Sequence, residues 1–364
     1  IWKGLVGSEM CIRDRECSYP GVKRGQHDRN LWAKNFRNEI TKKPNLPIIK
    51  QSVNLELTNH ELPKFFYDST PCPYRQKGGS VEAEKLLQSF LNKRGENYQF
   101  EMSSPITAEK SCSRLSTHLT YGTISHRTVF QEATKKRDQI KHKNKNFAKS
   151  INSFLSRLHW RSHFIQKLED QPSIEHTSFI PVYDQIREKD EEKLEAWIEG
   201  KTGVHFIDAC MIYLRNYGWI NFRMRAMLAS FASYNLWLDW RYFAPRLAAL
   251  FTDFEPGIHY SQIQMQSGTT GINTIRMYNP YKQAMDQDPH GKFIKSQIPE
   301  VKNFPPAFFH NPPKKSLNVN LFDNEFQKEI INVKETAQYA RKKIFDIRKS
   351  QEHKILAKNV YLKH

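Results

Sequence analysis

The stretch from Asp253 to Ile294, DFEPGIHYSQIQMQSGTTGINTIRMYNPYKQAMDQDPHGKFI, alternates polar and aromatic residues with four glycines and follows neither a helical nor a strand period. Three glutamines, Gln262, Gln264 and Gln266, stand among hydroxyl and amide side chains. Buried amides must find partners, and glycine permits close backbone approach. The run therefore reads either as chain wrapped around something polar or as a long solvated loop.

Outward from this block the pattern becomes helical. Ser80 followed by Val81, Glu82 and Ala83 is an N-cap with an acidic first turn, and Leu86, Leu87, Phe90 and Leu91 recur at helical spacing. Further helices are expected at about 125–138, 151–169, 190–199, 205–217, 221–237, 242–251 and 324–348. Strand signals are nearly absent, so the fold class is all-α, a multi-helix domain built around a cavity. Residues 16–79, rich in Pro, Asn and Lys, read as a linker and extended lead-in. The helical domain is expected over 80–350 and a basic tail over 351–364. Residues 1–15, IWKGLVGSEMCIRDR, have no period and look like translated sequencing-adapter sequence, an artefact to be set aside from fold reasoning.

Lys and Arg outnumber Asp and Glu by 56 to 38, a formal charge of +18. That excess favours a polyanionic partner, most simply nucleic acid; the alternative is that the basic C-terminal end is a solvated helix face. Five cysteines, Cys11, Cys17, Cys72, Cys112 and Cys210, include no C-x-x-C pair, so no metal site or disulfide framework is indicated. A reduced, cytoplasmic location is expected, nucleoid-associated when the chain is on DNA. No stretch approaches the length of an apolar membrane span. The sequence EGKTG at Glu199–Gly203 is not a phosphate-binding loop, because Glu195 stands where the required glycine would be.

Several residues stand out for their chemistry. On the helix expected at 151–169, Arg161 interrupts an apolar face of Ile151, Phe154, Leu158, Ile165 and Leu168. A buried guanidinium must be paired, by an internal carboxylate or by a ligand phosphate. Arg157, Trp160 and Phe164 form the neighbouring stripe, a stacking surface for a base. The run Cys112, Ser113, Arg114, Leu115, Ser116 offers hydroxyls and backbone amides ahead of a helix start. The helix expected at 221–237 carries Arg223 and Arg225 followed by Ala226, Ala229, Ser230, Ala232 and Ser233. Side chains this small admit close approach of another helix or of a flat ring.

Four blocks in order, SRLSTHLTYGTISHR (Ser113–Arg127), GWINFRMRAMLASF (Gly218–Phe231), LDWRYF (Leu238–Phe243) and the opening stretch, resemble the flavin-binding domain of the cryptochrome and DNA photolyase family. The resemblance spans roughly Trp32 to Ala340. It implies FAD as the bound chromophore, DNA as partner, and a blue-light-driven lyase that repairs pyrimidine lesions in DNA; the alternative it implies is a blue-light photoreceptor without repair. Family members begin with an α/β domain holding an antenna pigment. No alternating βαβ pattern stands here, so that domain is expected to be missing from this chain, with an antenna pigment possible in a longer protein.

Residue by residue, the resemblance implies that Tyr98, Cys112, Ser113, Arg114, Leu115 and Ser116 hold the cofactor phosphates and ribityl chain, with Cys112 replacing a threonine. It assigns Phe154 and Arg161 to the cofactor, Arg161 at the diphosphate. Arg225 and Asp253 become an ion pair beside the isoalloxazine ring, with Glu255 nearby and His259 facing the ring nitrogen N5. Trp160 would pack on the damaged pyrimidines, with Arg157, Phe222, Arg223 and Gln283 at the DNA. Several positions depart from the repair-enzyme pattern: Arg157 replaces a glutamate, Asn221 and Phe222 replace His and Asn, and Ile263 and Met265 replace a cavity tryptophan. DFEPGIHYSQ aligns about two residues short. Of the family's three relay tryptophans, Trp240 matches the middle one. The flavin-proximal position falls at Tyr260 or Ser261 and the surface one near Arg187, with Trp237 as a detour.

Overall fold

The computed structural model describes residues 19–25, 28–43, 71–311 and 328–363. Their architecture is helical, and the described residues hold one isolated β-bridge, between Glu188 and Leu238. The adapter-like segment 1–15 lies outside the described residues, as do 44–70 and 312–327.

A long central helix, α7 (Lys145–Asp170), organises the molecule. Asn144 caps it by accepting from the Phe147 amide. One side of α7 packs on α6 (His126–Ile140), and with α2 (Ser80–Ser89) and α3 (Tyr98–Glu101) it encloses a core of Leu87, Phe90, Tyr98, Val129, Ile151 and Phe154. The other side packs on α12 (Pro256–Ser267). A second, larger core lies beyond α12, among α8 (Glu191–Glu199), α9 (His205–Tyr217), α10 (Phe222–Ser230) and α11 (Trp240–Ala249). Helix α10 continues into a π-helical turn, Phe231–Asn235.

Short helices complete the chain: α4 (Pro105–Ser111), α5 (Ser116–Thr120), α13 (Pro280–Gln287), α14 (Lys292–Gln297) and α15 (Pro306–His310). At the C-terminus α16 (Val333–Lys349) packs on the π-turn and is followed by α17 (Gln351–Lys363).

Two expectations are corrected. The aperiodic stretch opening at Asp253 is neither loop nor irregular wrap at its start, because residues 256–267 form α12, sandwiched between α7, α10 and α11. It shows no amphipathic period because it is enclosed on several sides, and a helix buried all round has no solvent stripe to mark its turns. Gly257 is required there: a Cβ would lie 2.7 Å from Ile165 Cα and 3.1 Å from Phe164 O on α7. Part of the expected lead-in, residues 29–40, is helix α1, capped by Asp28 and burying Trp32, Phe36 and Ile40 against α6 and α7. The basic tail is likewise helical, as α17.

Elsewhere the boundaries move by a few residues. Ser80 lies inside α2, with Gly79 at the cap, and the 221–237 helix divides into α10 and its π-turn. The EGKTG motif serves to end α8: Gly200 caps it in the left-handed region, and the Thr202 and Gly203 amides donate to buried Asp208.

Candidate flavin site

Helices α5, α7 and α10 and the turn ahead of α12 bring Thr120, Arg161, Arg225, Asp253 and Glu255 to one place. On α10, Arg225 donates from both terminal nitrogens to Asp253, Nη1 to Oδ1 at 3.0 Å and Nη2 to Oδ2 at 2.9 Å, while its Nε donates to the Ile220 carbonyl at 2.6 Å. Asp253 is buried, which would raise its carboxyl, but the Arg225 charge and hydrogen bonds, with Ser116 and Arg161 beside it, hold it below the usual carboxylate value. Arg161 is also buried. Its Nη2 donates to Thr120 Oγ1 at 3.1 Å and to the Tyr19 hydroxyl at 2.7 Å, and pairs with Glu255 Oε2 at 3.4 Å. Thr120 in turn donates to the Asp253 carbonyl at 3.4 Å. Residues 116–120, 161, 225 and 253–255, far apart in sequence, thus form one connected network.

The run 112–116 borders it. Arg114 adopts the left-handed conformation, φ 63°, and its guanidinium lies 3.9 Å from the Trp219 ring centre. A non-glycine residue held there marks a backbone fixed by its surroundings. Gln76 supplies one brace by donating to the Arg114 carbonyl at 2.9 Å. Burial pushes the Cys112 thiol up to about 12 against the pull of Arg114, Arg94 and Arg225. Tyr98 meets Phe154 edge-on, with ring centres 6.2 Å apart, and is hydrogen-bonded to Arg157. These residues lie together as the sequence leads one to expect.

The site suits an anionic, polar cofactor. Arg161 Nε, Arg114 Nη1, Thr117 Oγ1, Asn221 Oδ1 and Ser261 Oγ are buried without a hydrogen-bond partner in the protein. Such orphans carry a desolvation cost unless something else satisfies them, and two of them belong to arginines suited to a diphosphate. Arg161 is paired to Glu255 and retains an unpartnered donor at Nε.

His259 is held at α11. Its Nε2 lies 2.9 Å from the Ala244 carbonyl, packed among Phe251, Phe254 and Tyr260, and burial lowers it to about 4. The neutral ring is committed to the α11 backbone, with Arg225 lowering and Asp253 raising its titration in smaller measure. Tyr260 forms an edge contact with it at 5.2 Å and another with Trp240 at 6.3 Å; Trp240 donates from Nε1 to Ser178. These three rings make a continuous aromatic path. Trp237 packs elsewhere, its indole donating to Ile186 O and lying against Arg187 and Tyr339. Arg187, near the expected surface relay position, is buried and donates to the Ser233 and Ser267 carbonyls.

The expected DNA-facing residues divide. Trp160 is 39% exposed, stacked on Phe164, Phe222 is 53% exposed, and Arg157 is exposed. Arg223 is partly covered, with its Nε buried. Gln283 does not belong with them: on α13 its side chain is buried and its Oε1 has no partner. Gln264 on α12 is satisfied by backbone, accepting from the Phe179 amide and donating to the Ile174 and Thr177 carbonyls.

Two residues escaped the sequence reading. Arg94 donates to four carbonyls, those of Leu86, Lys110, Cys112 and Ser113, and so holds the 112–113 backbone against α2. Tyr19 bridges Arg161 and the Leu119 carbonyl. Neither lies in a motif; a lone arginine after an apolar run gives no signal that its partners are backbone carbonyls.

A family model described as the FAD binding domain of DNA photolyase matches residues 154–353, more than half of the chain. The chain belongs to this family. Its domain is an FAD-binding one, and FAD is its cofactor. The chain is 30% identical over 243 residues to a deoxyribodipyrimidine photo-lyase of Streptomyces griseus, covering 66% of this chain and 50% of the relative. It is 31% identical over 292 residues to cryptochrome-2 of Arabidopsis thaliana, covering 75% of this chain and 46% of that one. Among solved structures, an archaeal photolyase from Sulfolobus tokodaii, crystallised with two FAD molecules, superposes with a TM-score of 0.60 at 30% identity, covering 74% of this chain and 57% of the other. The chain therefore spans about half the length of the curated relatives it matches. Among the described residues no helix is long and apolar enough to cross a membrane.

Proposed function

We propose that this domain is the electron-transfer unit of a DNA photolyase acting on UV pyrimidine lesions. The observation that carries the reading is the Arg225–Asp253 pair, joined through Thr120 to Arg161 and Glu255 and bordered by the 112–116 turn. Bound FAD would supply light-driven electron donation to a lesion flipped from the duplex. The chain's residues would do the rest. Arg161 and Arg114, each with an orphaned donor, would hold the diphosphate, with Ser113, Ser116 and the fixed backbone of 112–116 around it. Arg225 would keep positive charge beside the ring, the electrostatic tuning that favours a reduced, anionic cofactor. Exposed Trp160, Arg157 and Phe222 would receive the extruded bases by stacking and charge, and the +18 formal charge would attract the duplex. Trp240 and Tyr260 would resupply electrons through ring contacts.

The experiment is illumination of the reduced flavoprotein with DNA carrying one defined cyclobutane or (6–4) lesion, scoring restored bases. Restoration is expected; none, despite a bound and photoreducible flavin, would refute repair. A second reading, a photoreceptor that signals without repair, is favoured by Arg157 where repair enzymes carry a glutamate and by Phe222 and Ile263 in the substrate region. It predicts that intact flavin photochemistry persists while lesion restoration is absent.

A further inference from the structure

Away from the flavin network, helix α16 and the loop at 272–277 enclose a groove of about 370 Å³. Ile272, Ile275 and Met277 line one side, and Arg341, Phe345 and Arg348 line the other. Phe345 is 49% exposed, an unusual placement for a phenylalanine on an otherwise basic helix. Arg341 is exposed too. Arg348 donates from Nη2 to the Asn273 carbonyl at 2.7 Å, which holds the loop, but its Nε is buried without a partner. Neither arginine forms an ion pair with a carboxylate among the described residues. Helix α16 has six basic residues against two acidic ones, of which Asp346 pairs with Lys349.

From this arrangement we propose that the groove binds a nucleotide, with the base against Phe345 and the Ile272–Ile275 wall and the phosphate on Arg341 or Arg348. Spacing supports the class. Arg341 and Phe345 are one helical turn apart, about 6 Å along the axis, and Arg348 follows at about one further turn, so a guanidinium flanks the ring on either side. Guanidinium groups bind phosphate oxygens in a fork, and aliphatic side chains opposite an exposed aromatic suit a base, which stacks through its π-face whatever its identity, while Asn273 and Thr274 add polar groups to the lining. The volume lies at the lower end of small-molecule sites, enough for one nucleotide. A carboxylate without a ring would leave Phe345 and the isoleucines unused. The phosphate could come from a free nucleotide or from one nucleotide of a single strand.

The test uses the chain saturated with FAD, so that the flavin site is filled, and calorimetric titration with AMP, inorganic phosphate and an octathymidylate. Arg341→Glu and Phe345→Ala alter exposed side chains and should leave circular dichroism and flavin content unchanged. AMP is expected to bind, roughly tenfold more weakly to R341E. For F345A the AMP affinity should fall by about fivefold or more while inorganic phosphate is unaffected. Tighter binding of octathymidylate with the same variant dependence would identify a single strand as the source, and AMP binding at least as well would identify the free nucleotide. Absence of AMP binding at millimolar concentration would overturn the proposal. So would AMP binding indifferent to both variants, or equal losses of AMP and phosphate in F345A.

Discussion

Replacing Arg225 with Gln tests the core of the candidate site. The substitution removes two carboxylate hydrogen bonds and the Nε bond to the Ile220 carbonyl, and leaves Asp253 with a side chain only 4% exposed. Breaking a buried pair by deleting one partner costs about 3–5 kcal/mol. Arg225 is itself 26% exposed, so the lower end, about 3 kcal/mol, is expected at pH 7. The pH dependence gives a sharper signature. In the parent, Arg225 holds the Asp253 carboxyl below its ordinary value, so its stabilisation is complete above the unfolded pKa and is lost as pH falls through the folded one. Without Arg225 the burial effect, which raises the carboxyl, is left in command. The variant's penalty is then relieved as pH falls through that raised value. The gap between parent and R225Q should be about 3 kcal/mol at pH 7 and clearly smaller near pH 4.5, by urea unfolding followed by circular dichroism. The double variant Arg225→Gln with Asp253→Asn should recover part of the loss at pH 7. A gap below about 1 kcal/mol, or one independent of pH, would refute the reasoning.

Other outcomes follow from the same geometry. Gly257→Ala should destabilise by about 1–3 kcal/mol in chemical unfolding, because its Cβ meets the α7 backbone at 2.7 Å and neither helix can yield easily. His259 is held neutral by burial, its value lowered to about 4 from 6.5. Stability it permits at neutral pH should be lost as pH falls from 6.5 toward 4, by about 3 kcal/mol, and the slope of stability against pH should flatten in His259→Gln. Arg94→Ala should loosen the 112–113 backbone and lower flavin retention on gel filtration, while an unchanged flavin content would remove Arg94 from the site's support. Trp240→Phe and Tyr260→Phe should each slow flavin photoreduction followed by absorbance, whereas Trp237→Phe, outside the ring path, should not.

Legibility in the sequence followed the type of interaction. The amphipathic helix α7 was readable because one face meets solvent and writes a period. Helix α12 was not, since glycine, amides and hydroxyls fill its buried faces and no stripe survives. Arg225, Asp253 and Glu255 were named through the family resemblance, while Arg161 was legible by itself, because a charged side chain in an apolar run must be paired. Which partner it takes was not: Arg161 bonds Tyr19, Thr120 and Glu255, chosen by how α5, α7 and α12 meet. The same holds for Gln283 and His259. Both belong to polar residue types that the sequence placed at a ligand, and packing turned them inward, Gln283 into α13's buried face and His259 onto the Ala244 carbonyl.

The sequence alone therefore determined the all-α class, the basic character and the identity of the residues that gather around the candidate flavin site, because composition, period and motif are local properties of the chain. Only the tertiary structure decided that the opening stretch becomes a central helix, that residues 29–40 dock on α7 and that Arg94 braces the 112–113 backbone. Those outcomes depend on which surfaces come within a few ångströms of one another, and such distances are set by how whole segments pack, from 18 residues apart for Arg94 and Cys112 to 130 for Trp32 and Ser162.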